Sequence, residues 1–195
     1  MTHKLIKSAI MLAIAASFNT PSAYAFGGST HMKVAGRTSQ PIGHYEYCSK
    51  YSSDCRIKTK NTKAPKLTRK RWEELVSVNA FSNNTIRPVT DFEAYNTEEL
   101  WAYPTSYGDC EDYVLMKRHM LMQRGWPASS LLITVVRQPN GEGHAVLTVR
   151  TDRADYVLDN LDGRIKPWNE TPYTYLKRQA SHHSGHWVTI KDRRS

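Results

Sequence analysis

Cys110 is the residue of this chain best placed to do covalent chemistry. It stands in Gly108-Asp109-Cys110-Glu111-Asp112-Tyr113, at the start of a helical pattern. A helix N-terminus stabilises a thiolate and offers backbone N–H groups to an oxyanion. A thiol nucleophile also needs a base for its proton, and the base needs an acceptor that fixes its tautomer. His144 follows an Asn-Gly turn in Gly143-His144-Ala145-Val146-Leu147, and Asp159 closes the run Val157-Leu158-Asp159-Asn160. Together the three residues describe a Cys-His-Asp triad that attacks a carbonyl. Residue types alone leave room for a packed cysteine, a hydrogen-bonded histidine and a turn aspartate.

The elements around these residues can position them. Asp109 suits an N-cap, Glu111 and Asp112 suit the first turn, and Gly125 suits the position just past the helix end, before Pro127. Val114, Leu115, Met116, Met120, Leu121 and Met122 cover a wide face, which predicts a buried helix, with Lys117, Arg118 and Arg124 complementing its dipole. Strands follow at Leu131 to Val136, Ala145 to Val149 and Tyr156 to Leu158, the first two joined through Pro139-Asn140-Gly141. Upstream, Thr68 caps a helix from Arg69 to about Phe81 with Trp72, Leu75, Val76 and Ala80 on one face, ended by Ser82-Asn83-Asn84. One long helix followed by a meander gives an α+β domain over residues 67–195, with the nucleophile at the N-terminus of a buried helix packed on an antiparallel sheet.

The wording of the three motifs, in this order, closely resembles the bacterial transglutaminase-like cysteine proteinase family, which includes the LapG-type periplasmic proteases. The likeness runs from about Leu67 to Lys177. It implies a papain-like or transglutaminase-like core in which Cys110 is the nucleophile, His144 the base and Asp159 the orienting acid. LapG-type members release surface adhesins under the control of an inner-membrane receptor, so the resemblance implies an envelope protein as substrate and such a receptor as partner. This chain is shorter than those members and adds an N-terminal cysteine pair. The same thioester chemistry also serves transglutaminases and deamidases acting on protein glutamine, and a non-catalytic envelope-binding module can keep the fold.

LapG-type members use calcium, with ligands at positions matching Asp109 and Glu111. A physical argument points the same way: Asp109, Glu111 and Asp112 crowd a thiol that must ionise, and a hard cation on oxygen ligands offsets that field. Plain helix capping is the alternative for both residues. His182, His183 and His186 look like a metal cluster but sit in a polar stretch without a Cys or carboxylate at convincing spacing, and read as solvated. Trp101 reads as core and Glu142 as a loop carboxylate.

Composition sets the remaining limits. The chain has 195 residues, 39% hydrophobic and 23% charged, with a formal charge of +9, as expected of an ordinary globular protein. Lys4 and Lys7, an apolar run from Ala9 to Phe18, and Ala23-Tyr24-Ala25 read as a signal peptide over residues 1–25. Its removal takes the chain from 195 to 170 residues and from +9 to +7, with no transmembrane anchor left. The expected location is therefore the periplasm or outside the cell. In that oxidising compartment Cys48 and Cys55 can close a small loop in an extended N-terminal segment, residues 26–66, leaving Cys110 free. The basic run from Arg56 to Arg71 lacks interleaved aromatics, so it reads as an exposed linker and no nucleic-acid partner is expected.

Overall fold

The computed structural model describes residues 29–192. The signal-peptide expectation for residues 1–25 lies outside them. The sheet at the centre has seven strands: β1 (Val34–Thr38), β4 (Leu131–Arg137), β5 (Gly143–Arg150), β6 (Asp155–Leu158), β7 (Lys166–Pro167), β8 (Thr174–Ala180) and β9 (His183–Ile190). Their order is β1-β9-β8-β4-β5-β6-β7, and every neighbouring pair is antiparallel. The fold is α+β, with helices on one face of an antiparallel sheet, as the sequence predicts.

Strand alternation sends Leu131, Ile133, Ala145, Leu147 and Val149 toward two helices, α3 (Arg69–Thr85) and α5 (Cys110–Gln123), which contribute Leu75, Val78, Val114, Leu115 and Leu121 to the same cluster. The opposite face is covered as well: Val136, Val146 and Val157 pack with Met32, Trp168, Tyr173, Tyr175 and Ile190. Burial on both faces explains why β4 and β5 read as continuous apolar runs. Two threonines interrupt those runs, and they satisfy each other, Thr134 Oγ1 lying 2.6 Å from Thr148 Oγ1.

Several expectations change. Residues 29–66 are not an appended extended segment. β1 pairs with β9 in the main sheet, and α1 (Ile42–Lys50) and α2 (Ser52–Cys55) bring Tyr47 and Cys55 into the core, so the domain does not begin at residue 67. The basic run is pinned rather than free, because Leu67 N donates to Asp152 Oδ1 (2.8 Å), Asp152 N donates to Pro65 O (3.0 Å) and Lys58 bridges to His183. Thr68 caps α3 as predicted, accepting from Arg71 N, but the helix runs on through Ser82-Asn83-Asn84 to Thr85. Its buried stripe is Leu75, Val78, Asn79 and Ser82, while Val76 is exposed. The polar residues stay helical because tertiary partners use them: Asn79 Nδ2 donates to Gly163 O (3.1 Å) and Asn83 Nδ2 to Asp159 O (2.8 Å). Lys117 and Arg118 of α5 are buried, not solvated, with Arg118 Nε donating to Leu131 O (3.1 Å). The stretch containing His182, His183 and His186 is the β8–β9 hairpin. No helix among the described residues is long and apolar enough to cross a membrane.

Candidate active site

A small parallel pair places the site. β2 (Arg87–Pro88) lies beside β3 (Tyr107–Gly108) in the register Pro88 with Gly108. Each strand leads into a helix, β2 into α4 (Asp91–Tyr95) and β3 into α5, so residues three beyond the pairing, Asp91 and Glu111, emerge side by side. Gly108 is required by close approach: a Cβ there would lie 2.5 Å from Asp112 Oδ2 and 2.8 Å from Asp112 Cβ. Asp112 is held at that spot by accepting from Ala102 N (2.9 Å).

Cys110 opens α5 and is half-buried. Its sulfur receives the Ala145 N–H at 3.4 Å, so β5 packs directly on it, and its thiol donates to Glu111 Oε2 at 3.0 Å. One residue before Ala145, buried His144 pairs through Nε2 with Asp159 Oδ1 at 2.8 Å. Asp159 also accepts from Tyr173 OH (2.5 Å) on Oδ2 and from Leu161 N (3.0 Å) on Oδ1. The predicted His144 and Asp159 thus meet directly. Cys110 is brought to the same end of β5, but its thiol proton is directed to Glu111, and no hydrogen bond joins Cys110 to His144 in this arrangement.

Electrostatics divides the site in two. Burial alone would raise the Asp159 carboxyl, but the bond and charge of His144, with Tyr173 and Leu161, outweigh it and hold the group below its ordinary value. Cys110 is pushed the other way, well above the ordinary thiol value, by burial and then by the charge and hydrogen bond of Glu111. Burial, with Glu111 beside it, lifts Asp109 to about 8. Burial lifts Glu111 to about 7, with Glu99 adding to the rise and the Cys110 bond opposing it. Asp112 is pushed up to about 7, again chiefly by burial.

Asp91, Asp109 and Glu111 bring carboxylate oxygens within 4.8 Å of one another. Asp109 occupies the N-cap position without its side chain capping the helix, and its buried Oδ1 meets no N–H donor. Capping therefore does not account for Asp109. This oxygen-only donor set, tightly grouped and short of hydrogen-bond donors, fits a hard divalent cation. Asp91 also accepts from Leu100 N, which closes the loop over residues 91–100.

Asp91 and Tyr173 were not legible as site residues. Thr90-x-x-Glu93, a realised capping box, does mark the start of α4 and so the position of Asp91, but nothing in its spacing points to Asp109. Tyr173 carries no sequence signal. Trp101 is core, its Nε1 donating to Glu99 Oε1 (2.6 Å), and Glu142 is an exposed turn residue held by Asn140 (2.8 Å). Tyr173→Phe is expected to lower kcat/KM about tenfold while far-UV circular dichroism stays unchanged, since it removes one bond to a buried carboxylate and nothing from the helix. Steady-state kinetics against the wild type checks it.

A thiol at the N-terminus of a helix, an antiparallel sheet beneath it and a buried His-Asp pair define the papain- and transglutaminase-like class of thiol enzymes. The family model for bacterial transglutaminase-like cysteine proteinases matches residues 34–195, and the chain belongs to that family of cysteine peptidases. Among solved structures, calcium-bound LapG of Legionella pneumophila is similar with a TM-score of 0.53 at 21% identity, covering 79% of this chain and 84% of that one. Another Legionella pneumophila LapG structure gives 0.49 at 24% identity, covering 60% of this chain, which spans 66% of it. The EGTA-treated form gives 0.44 at 20%, over 64% of this chain and 69% of that one. No curated protein sequence matches the chain.

Proposed function

We propose that this chain is an exported cysteine peptidase that cuts a protein of the cell envelope through Cys110, His144 and Asp159. The observation that carries this reading is the buried His144–Asp159 pair at 2.8 Å, one residue from the amide that touches the Cys110 sulfur. Nε2 is committed to Asp159, which leaves Nδ1 to take the thiol proton. The thiolate then attacks the peptide carbonyl carbon, and the oxyanion is held by the backbone N–H of Cys110. Collapse breaks the C–N bond as the imidazolium returns its proton to the leaving amine. Water, deprotonated by His144, hydrolyses the thioester and restores the thiol.

Glu111 is the competitor in this scheme, because its carboxylate holds the thiol proton that His144 must take. Asp91, Asp109 and Glu111 would hold a calcium ion, consistent with the calcium-bound LapG among the similar structures. Bound there, calcium would supply the positive charge that lets Cys110 ionise. Asp109 and Glu111 are the ligands expected from sequence, and Asp91 joins them.

Export is supported by the signal-like residues 1–25 and by the Cys48–Cys55 disulfide, a bond of oxidising compartments. The proposed location is accordingly the periplasm or the exterior, the proposed substrate a surface adhesin or another envelope protein, and the proposed regulator an inner-membrane receptor. Mapping protein N-termini in the exported proteome of a Cys110→Ala strain and its parent tests the reading. New N-termini confined to the parent are expected and identify the substrate. Identical N-termini in both strains would overturn hydrolysis and favour acyl transfer from glutamine to an amine.

A further inference from the structure

Residues 56–67 form a strap across one end of the sheet. At the β8–β9 turn, Thr59 N donates to His182 O (3.0 Å), Ser184 N to Ile57 O (3.1 Å) and Ile57 N to Ser184 Oγ (3.0 Å). Farther along, Arg150 at the end of β5 clips the strap to its surroundings, its Nη1 donating to Thr62 O (3.1 Å), Ser181 Oγ (2.9 Å) and Ser129 O (3.3 Å). The β5–β6 turn holds the last part, through Asp152 N to Pro65 O (3.0 Å) and Leu67 N to Asp152 Oδ1 (2.8 Å). In sheet order these anchors run past the ends of β9, β8, β4, β5 and β6, a width of roughly 20 Å at about 4.8 Å between strands.

The strap is a row of fixed positive charge. Arg56, Lys58, Lys60, Lys63 and Lys66 are all exposed, and no carboxylate occurs in the sequence between Arg56 and Arg71. Arg153, exposed in the β5–β6 turn, adds to them, while the carboxylate of that turn, Asp152, is engaged by Leu67 N. Among the described residues none of the five strap cations joins an ion pair. Exposure alternates at the start: Ile57 and Thr59 are half-buried, so Arg56, Lys58 and Lys60 share the outward face. Neighbours on that face are about 6.7 Å apart along the chain, inside the screening length of about 8 Å at physiological salt. A free linker would let such charges spread apart. Here the backbone bonds hold them together, and an opposing layer of negative charge relieves their repulsion.

We propose that this end of the sheet docks the protein on an anionic phospholipid bilayer, with the catalytic residues turned away from it. The inference rests on the envelope location proposed above, but not on peptidase activity. A bilayer presents a plane of phosphates and requires no pocket, only cations spread along one edge, each of which strengthens attachment about fivefold. The strap has no aromatics interleaved with its cations, so it does not suit single-stranded nucleic acid. The orientation follows from β5, which carries His144 near one end and Arg150 at the other, roughly 20 Å apart. Docking through the strap therefore leaves Cys110 open to solvent.

Co-sedimentation of the protein, isolated after export, with vesicles tests the surface. Vesicles containing phosphatidylglycerol should bind it and pure phosphatidylcholine vesicles should not, and about 0.5 M salt should release it. Lys60→Glu with Lys63→Glu should weaken binding at least about 25-fold. Arg137→Glu with Lys191→Glu changes the net charge equally at the opposite end of the sheet and should weaken it less than about fivefold. Melting temperatures close to the wild type confirm that both variants fold. Iodoacetamide should label Cys110 at the same rate in bound and free protein, and slower labelling on vesicles would overturn the orientation. Equal losses in the two double variants, binding without preference for phosphatidylglycerol, or capture by polyglutamate but not by vesicles would each overturn the docking surface, the last in favour of an acidic protein.

Discussion

Cys110→Ala and His144→Ala are each expected to lower hydrolysis of the mapped substrate by at least about 10⁴-fold, with the melting temperature little changed in Cys110→Ala and lowered in His144→Ala, which leaves the buried Asp159 without its partner. The size follows from the roles. Without the thiol no thioester forms, and without the imidazole the thiol keeps a proton that burial and Glu111 already hold tightly. The double variant should be no slower than either single one, because the two groups act as a unit. Asp159→Asn is expected to cost about 10²–10⁴-fold: it leaves the imidazole in place but replaces the acceptor that fixes the tautomer at Nε2. Rates measured with the substrate fragment and its cleavage product check all four variants. A His144→Ala enzyme within tenfold of wild type would remove the triad.

The carboxylate cluster carries the other large effect. In the metal-free protein Asp109 and Glu111 titrate near about 8 and about 7 rather than the ordinary 3.8 and 4.5. Between those limits the folded state holds more protons than the unfolded one, so its stability falls as pH rises from about 4 to about 8. Below about 4 both states are protonated and the penalty disappears. Calcium should remove it at the upper end, and at 100 times its Kd should raise the melting temperature at pH 8 by about 5–10 °C. Asp91→Asn and Asp109→Asn should each raise the metal-free melting temperature at pH 8 and abolish the calcium response. Thermal melts in EGTA and in calcium measure both. Equal melts in the two conditions would remove the cation.

The centre of the molecule was legible because its signals are local. The apolar face of α5 with its Gly125 stop, the Asn-Gly turn and the apolar runs of β4, β5 and β6 each specify their own element, and those elements carry Cys110 and His144 and end at Asp159. β8 and β9 were missed because about half of their residues are only partly buried and carry polar side chains, and a histidine cluster sits at their turn, so their composition reads as polar. The continuation of α3 was missed for a related reason. Ser82 and Asn83 look like a helix stop until Asp159 O appears opposite Asn83, a contact 76 residues away in sequence. Asp91 belongs with Asp109 only through the parallel pairing of β2 and β3, two residues each, which no periodicity reveals.

The rate of Cys110 alkylation by iodoacetamide, measured across pH in calcium, tests the central claim most directly. Cys48 and Cys55 are joined, so the single label reports on Cys110 alone. Wild-type protein should react near neutral pH, and His144→Ala should lose that reactivity until the pH reaches the range of an unassisted thiol. Equal, slow labelling of both proteins at neutral pH would contradict a Cys110 nucleophile activated by His144.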